Sequence, residues 1–372
     1  MASSRLHFSE ATRKFEPAES VAGLLCGGAH PDSGDGEHAD AEPEEQHQEL
    51  QQDARLLFSV AVVRVSCGAR CHRSLLVALA TAHKALPAEL PATTPGPVVN
   101  VSLGISHRVL SIAPGIKYEA WTFSGGVPGP VIHARQGQTV RLTLTNSSPM
   151  PHSVDFHAAR IAPDKAFVDI MPGKSFTFSF KVNDPRVYMY HCGTKPVRAH
   201  IANGVYGAIV VDPANPKPLP PVHHSYVLGS GEWYLNAPGD TKPAGLDMVK
   251  ARQMTPDWVT WDGYAAQYVK HPLTAHPGHT IRFYVVDAGP SLHTAFHVVG
   301  TILQRAWVDG AVTDPPEHGV QTVTVPAGGG AIFDVNIAKP GLYPFVTHSF
   351  ASVDMGAVGL LKVGEVEGTM SH

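Results

Sequence analysis

The sequence predicts an all-β protein made of two tandem β-sandwiches, and three observations predict it. Hydrophobic residues are 43% of the chain and charged residues only 16%, with 35 Gly and 32 Pro, a turn-rich balance that favours sheets over helical bundles. "TVRLTLTN" (Thr139 to Asn146) and "SFTFSFKV" (Ser175 to Val182) alternate apolar and polar residues, with Pro172-Gly173 as punctuation. That is the pattern of half-buried strands. The same order of segments then recurs. "ARQGQTVRLTLTN" returns as "AHPGHTIRFYVVD", "SVDFHAA" as "TAFHVVG" and "PGKSFTFSFKVNDPRVYMYHC" as "PAGGGAIFDVNIAKPGLYPFVTHS". Both copies close alike, on "GVYGAIVV" and "GAVGLLKV".

At 372 residues the chain has room for two or three domains with proper cores. Residues 1–95 read as a poorly ordered extension: the acidic "GDGEHADAEPEEQHQELQQDA", a short segment bearing Cys and Arg, and a Pro-rich joint "LPAELPATTPGP". "CGARCH" at Cys67 to His72 has three residues between its cysteines, where a haem attachment motif has two, so it reads as an incidental cluster. The first sandwich is expected over 96–213. The second is expected over 214–366, after the Pro-rich joint "DPANPKPLPPV" (Asp212 to Val222).

A formal net charge of −4 removes the electrostatic case for nucleic acid or an anionic membrane as partner. No apolar run approaches the roughly 18 residues a membrane span requires. The N-terminus lacks the basic-then-apolar order of a secretory signal, so no export signal of ordinary form is expected.

Four cysteines (Cys26, Cys67, Cys71 and Cys192) are too few and too unevenly placed for a disulfide framework. The chain carries 22 histidines, and the informative ones stand at ligand spacing. In "YMYHCGTKPVRAHIANG" His191 and Cys192 are adjacent, so on a strand they point to opposite faces and cannot easily share one ion. His152, Cys192 and His200 form one candidate set. A thiolate with two imidazoles suits copper, or zinc with a fourth ligand. Superposing the copies places Phe156-His157 on Phe296-His297 and His191 on His348, with Cys192 on Ser349. His157, His191, His297 and His348 thus form a second set, at the surface of the sandwich. Strand-end histidines satisfied by backbone carbonyls are the plain alternative.

The runs "PHSVDFHAA", "YHCGTKPVRAHIANG", "TAFHVVGTI" and "YPFVTHSF" resemble, in order and spacing, the motifs of the two-domain copper nitrite reductases. The resemblance covers about residues 100–365. It implies two cupredoxin-like Greek-key domains, a type 1 copper on His152, Cys192 and His200, and a type 2 copper on His157, His191 and His348 of a neighbouring subunit. It also implies a homotrimer, a small electron-donor protein of cupredoxin or cytochrome c type, nitrite as substrate, and an extracytoplasmic or periplasmic location. Asp155 and His297 match the two residues that handle protons beside the type 2 copper. They suit the delivery of the two protons consumed when nitrite becomes nitric oxide.

One position departs from the family. Five residues after His200, where a weak axial methionine is expected, stands Val205. Loss of a thioether leaves a more trigonal copper with a higher potential. Two other readings stay open at this point. A laccase-type oxidase requires paired His-x-His motifs, and the chain contains none, with Gly193 following Cys192. A non-catalytic type 1 copper carrier tolerates Val205 but has no use for four histidines repeated across two domains.

Overall fold

The computed structural model describes residues 83–366. The extension expected over 1–95, with its cysteines and the "CGARCH" cluster, lies outside the described residues up to position 82. The first sandwich contains β1 (Val98–Ala113), β2 (Ile116–Phe123), β3 (Ile132–Arg135), β4 (Thr139–Asn146), β5 (Asp155–Phe156), β6 (Ser175–Lys181), β7 (Val187–His191) and β8 (Tyr206–Asp212). They form sheets of order β2-β1-β4-β6 and β3-β8-β7-β5. The second contains β9 (His224–Trp233), β10 (Trp258–Trp261), β11 (Leu273–Ala275), β12 (Thr280–Asp287), β13 (Thr294–Val298) and β14 (Leu303–Trp307). It continues through β15 (Glu317–Val320), β16 (Val323–Val325), β17 (Gly330–Asn336), β18 (Gly341–Thr347) and β19 (Val358–Val363). Its sheets run β10-β9-β12-β17-β14-β15 and β11-β19-β18-β13-β16.

Each sandwich opens the same way. β1 pairs in parallel with β4 (Val98 against Thr139), and β9 pairs in parallel with β12 (His224 against Ile281). A parallel neighbour cannot be reached by a hairpin, so the chain crosses between sheets and the two layers close over a core. Leu142 and Leu144 of β4, Phe178 and Phe180 of β6, and Tyr190 and Ile209 of the other sheet fill the first core. Phe283, Phe296, Phe333 and Phe345 fill the second.

A third apolar cluster joins the two. Val187 and Met189 of β7 and Ala208 and Val210 of β8 pack with Tyr284 and Val286 of β12, Trp307 and Ile332. This seam explains why some strands alternate and others do not. β4 and β6 have one wet face and alternate as the sequence predicts. β8 and β12 are covered on both faces and are apolar nearly throughout.

Residues 86–90, assigned by the sequence to the extension, lie along the second sandwich, while the C=O groups of Pro91 and Thr94 meet His133 and Gln138 of the first. Val227 N–H donates to Ala88 C=O (2.7 Å), Leu90 N–H donates to Ser225 C=O (2.9 Å), and Leu86 N–H donates to Gln267 Oε1 (2.9 Å). β10 pairs with β9 only from Ser230 to Trp233, so residues 88–90 cover the part of the β9 edge that β10 leaves open. Their hydrogen bonds go where an edge strand would put them.

The six-stranded sheet also carries a charge cluster. Asp334 on β17 is fully buried, and its carboxylate accepts from Arg282 Nε (2.7 Å) and Nη2 (2.8 Å) and from Arg305 Nε (2.9 Å). Arg282 is itself 3% exposed, so its charge depends on that carboxylate. Removing one partner of a buried pair leaves the other uncompensated. Asp334→Ala is therefore expected to lower the unfolding free energy by about 3–5 kcal/mol, read as a lower denaturant midpoint. A midpoint within error of the parent protein contradicts this account of the sheet.

Candidate metal centres

β7 ends on His191, and Cys192 follows with its N–H donating to Val205 C=O (3.0 Å). The strand alternation expected from the sequence holds here: Cys192 is fully buried in the first core, while His191 is half-buried on the other side. His152 is fixed by an isolated bridge to Ile170, His152 N–H to Ile170 C=O (3.2 Å) and Ile170 N–H to His152 C=O (2.7 Å). His200 sits on a short helix, Val197–Ala202, and is fully buried.

These three side chains converge. Cys192 Sγ lies 3.1 Å from His200 Nδ1 and 3.6 Å from His152 Nδ1, and the two Nδ1 atoms are 3.1 Å apart. Two nitrogens each about 2.0–2.1 Å from one tetrahedral ion stand about 3.3 Å apart, so the spacing suits a common metal. Burial, then the neighbouring His200 and His107, pull His152 down to about 3. Burial does the same to His200, down to about 4, with Asp169 opposing. Both imidazoles therefore offer lone pairs at neutral pH. Burial pushes the Cys192 thiol up, and the Ser153 N–H that donates to Sγ (3.3 Å) opposes it. A soft cation would suit this set: it would favour the thiolate of Cys192 and use the lone pairs of two neutral imidazoles in an apolar core. His200 Nε2 is buried with no partner among the described residues, so the ring is oriented by what meets Nδ1.

A second set lies on the opposite side of β7. Asp155 faces His191 directly across the β5–β7 ladder, and His157 N–H donates to Met189 C=O (3.2 Å). His157 Nε2 and His191 Nε2 are 3.1 Å apart, with Asp155 Oδ2 3.9 Å from His191 Nε2. His191 Nδ1 meets Cys192 C=O at 3.0 Å, which can only accept, so the proton sits on Nδ1 and Nε2 presents its lone pair. His157 is exposed. The set is therefore a half-site open to the outside, with two imidazoles aimed at one point and a carboxylate beside them.

His297 on β13 and His348, the residue after β18, come together elsewhere in the second sandwich, with ring centroids 5.0 Å apart. His297 Nδ1 donates to Gln321 C=O (2.7 Å). Within one chain His348 is not among the ligand atoms that gather around His157 and His191. The two halves of the second set, read together in the sequence, thus do not gather within one chain.

Comparison with known proteins decides the family. A family model described as "Multicopper oxidase" matches residues 105–216, the first sandwich. The copper-containing nitrite reductase of Neisseria meningitidis is 39% identical over 277 residues, covering 72% of this chain and 70% of that protein. The chain belongs to the copper-containing nitrite reductase family. Its namesake in Pseudomonas chlororaphis is 27% identical over 298 residues, covering 74% of this chain and 82% of the relative. Among solved structures, the copper nitrite reductase of Nitrosomonas europaea superposes with a TM-score of 0.67 at 32% identity, over 74% of this chain and 98% of that one.

Two neighbours of the buried set in this nitrite reductase homologue escape a reading of motifs. His107 Nε2 lies 3.2 Å from His152 Nε2, and its ring stacks on Trp121 (centroids 4.9 Å apart). Trp121 in turn meets the rings of His200 and His152 edge-on, at 4.9 and 5.6 Å. His107 and Trp121 are cross-strand partners on β1 and β2, 45 and 31 residues before His152, and only the strand register brings them over the site.

Val205, the departure from the family, is fully buried in the same core as Cys192. Met189 cannot substitute for the missing thioether, because it belongs to the seam on the other face of β7. In the copper-loaded protein, Val205→Met is expected to lower the reduction potential and to change the visible spectrum. Each roughly 59 mV of a one-electron couple is a tenfold change in equilibrium constant, so redox titration resolves the effect. An identical potential and spectrum would show that another group already fills the axial position.

Proposed function

We propose that this protein reduces nitrite to nitric oxide, NO2⁻ + 2H⁺ + e⁻ → NO + H2O, with a type 1 copper on His152, Cys192 and His200 and a type 2 copper on His157, His191 and the neighbouring subunit's copy of His348. The observation that carries the reading is the adjacency of His191 and Cys192 on opposite faces of β7, each in its own donor set. One peptide link then joins the two centres. Bound copper would supply a one-electron redox couple at the buried set and a Lewis acid for nitrite at the open one.

The remaining steps belong to the chain. Cys192 and His191 form the covalent path for the electron. The Asp155 carboxylate, half-buried on the face of His191, holds and releases a proton where nitrite oxygen leaves as water. His297 is the second proton group, with Nδ1 committed to Gln321 C=O and Nε2 free to exchange. Because His297 and His348 stand apart from Asp155 and His157 within one chain, the catalytic set needs a second subunit, and a closed ring of three makes every such contact equivalent.

The same reading includes two cupredoxin units over 96–213 and 214–366, a small cupredoxin or cytochrome c as electron donor, and an extracytoplasmic, periplasmic location. Its support is the family relationship. Among the described residues no helix is long and apolar enough to cross a membrane.

Steady-state nitrite turnover with a reduced artificial donor, followed as nitric oxide release, tests the activity. Cys192→Ala is expected to lose the strong thiolate-to-copper band and turnover while keeping about one copper per chain. His348→Ala is expected to keep the band and lose turnover together with the other copper. Loss of the band in the His348 variant alone would contradict the assignment. Mass in solution is expected to be three times that of the chain; a monomer that keeps both coppers and full activity refutes the shared site.

A further inference from the structure

Four histidines outside both donor sets meet at one edge of the second sandwich. His224 begins β9 with His223 just before it, and His276 and His279 bound the turn between β11 and β12. The turn has Pro277 second, Gly278 third with φ +79°, and His279 N–H donating back to His276 C=O (3.1 Å). That is a type II turn, which holds its first and last residues within about 7 Å. The strand pairing then brings in the other two. His224 lies opposite Ile281 in the β9–β12 ladder, and His223 N–H donates to Thr280 C=O (3.0 Å).

The side chains follow the backbone. His224 Nε2 lies 3.1 Å from His279 Nδ1, close to the separation of about 3.3 Å expected for two nitrogens on one tetrahedral ion. The His276 ring, exposed at the rim, has its centroid 5.1 Å from that of His279 and 6.4 Å from that of His224. In the structure only the His224 and His279 nitrogens meet, and the site requires His276, an exposed side chain, to take another rotamer. His223 is different. Its Nδ1 accepts the Thr280 N–H (3.1 Å), so its proton is on Nε2 and neither nitrogen is free, while its ring stacks on His279 at 4.1 Å. It serves as a platform that sets the plane of the His279 ring.

The fold does not require these imidazoles. The equivalent turn of the first sandwich, Arg135-Gln136-Gly137-Gln138, has the same hydrogen bond (Gln138 N–H to Arg135 C=O, 3.0 Å) and the same glycine conformation (φ +90°) with no histidine. Among the described residues no carboxylate lies within ion-pair distance of any of the four, so charge pairing does not account for the cluster either.

We infer that His224, His276 and His279 form an additional surface site for a divalent transition-metal ion of the kind imidazole binds, with His223 as the stacking support and solvent completing the coordination. The site is independent of the two donor sets described above. By the usual order of divalent affinities it takes Cu²⁺ more tightly than Zn²⁺.

The test uses the full chain with its own copper already bound. Zn²⁺ is titrated by calorimetry while the visible band monitors the buried set. One further equivalent per chain is expected, which Cu²⁺ then displaces. His279→Gln should weaken zinc binding at least tenfold. The double variant His276→Arg/His279→Gln rebuilds the turn of the first sandwich, so it should fold, keep the visible band and lose the extra equivalent. His223→Phe keeps the stack and should bind zinc as the parent does. Equal zinc binding by the parent and the double variant overturns the proposal, as does His279→Gln with unchanged affinity.

Discussion

The two faces of β7 impose the constraint on which the rest of the site depends. An extended chain must turn successive side chains to opposite sides, so Cys192 enters the first core while His191 leaves it. Everything else in the two donor sets is arranged to meet one or other of these directions. His152 and His200 approach from inside, through the bridge to Ile170 and a short helix. Asp155 and His157 approach from outside, because β5 pairs with β7 in a register that puts Asp155 opposite His191. A one-residue slip in that register would turn Asp155 away from His191 and break up the outer set.

β7 can hold this position because it is clamped on both sides. Tyr190 and Cys192 belong to the first core, Val187 and Met189 to the seam with the second sandwich. Rigid, apolar surroundings serve the buried set in a second way. They keep His152 and His200 neutral, whereas a wetter pocket would let them protonate, so that two imidazole nitrogens and the Cys192 sulfur converge where a soft cation would be favoured. The cost of burying these groups is thus converted into affinity for a soft ion.

Much of this was legible in the sequence, and the reasons for the gaps are physical. The strand Thr139–Asn146 is read residue for residue because one face is wet. The split of His191 from Cys192 follows from local geometry alone. Strands in the seam resist the same reading, since a run buried on both sides has no period. Residues 88–90 look like linker because their partner, the edge of β9, is more than 130 residues downstream. His107 and Trp121 are invisible for a related reason: no spacing connects them to His152, and only the β1–β2 register lays them over it.

His107 changes how the Val205 departure should be understood. A metal held by two imidazoles and a thiolate is tuned through its ligands as well as along its axis, and groups behind the ligands orient them. Were copper held there, position 205 would offer it only the methyls of a valine in an apolar core. His152 instead has a second histidine on its far nitrogen, stacked on a half-buried tryptophan that also touches His200. With Nδ1 turned to the buried set, the His152 proton sits on Nε2, so His107 Nε2 accepts it and would add electron density to the His152 ring. The proton between His107 and His152 therefore acts on the same quantity as the missing thioether. On the proposed reading, the potential of a copper at the buried set would depend on both the valine at position 205 and the contact at position 107.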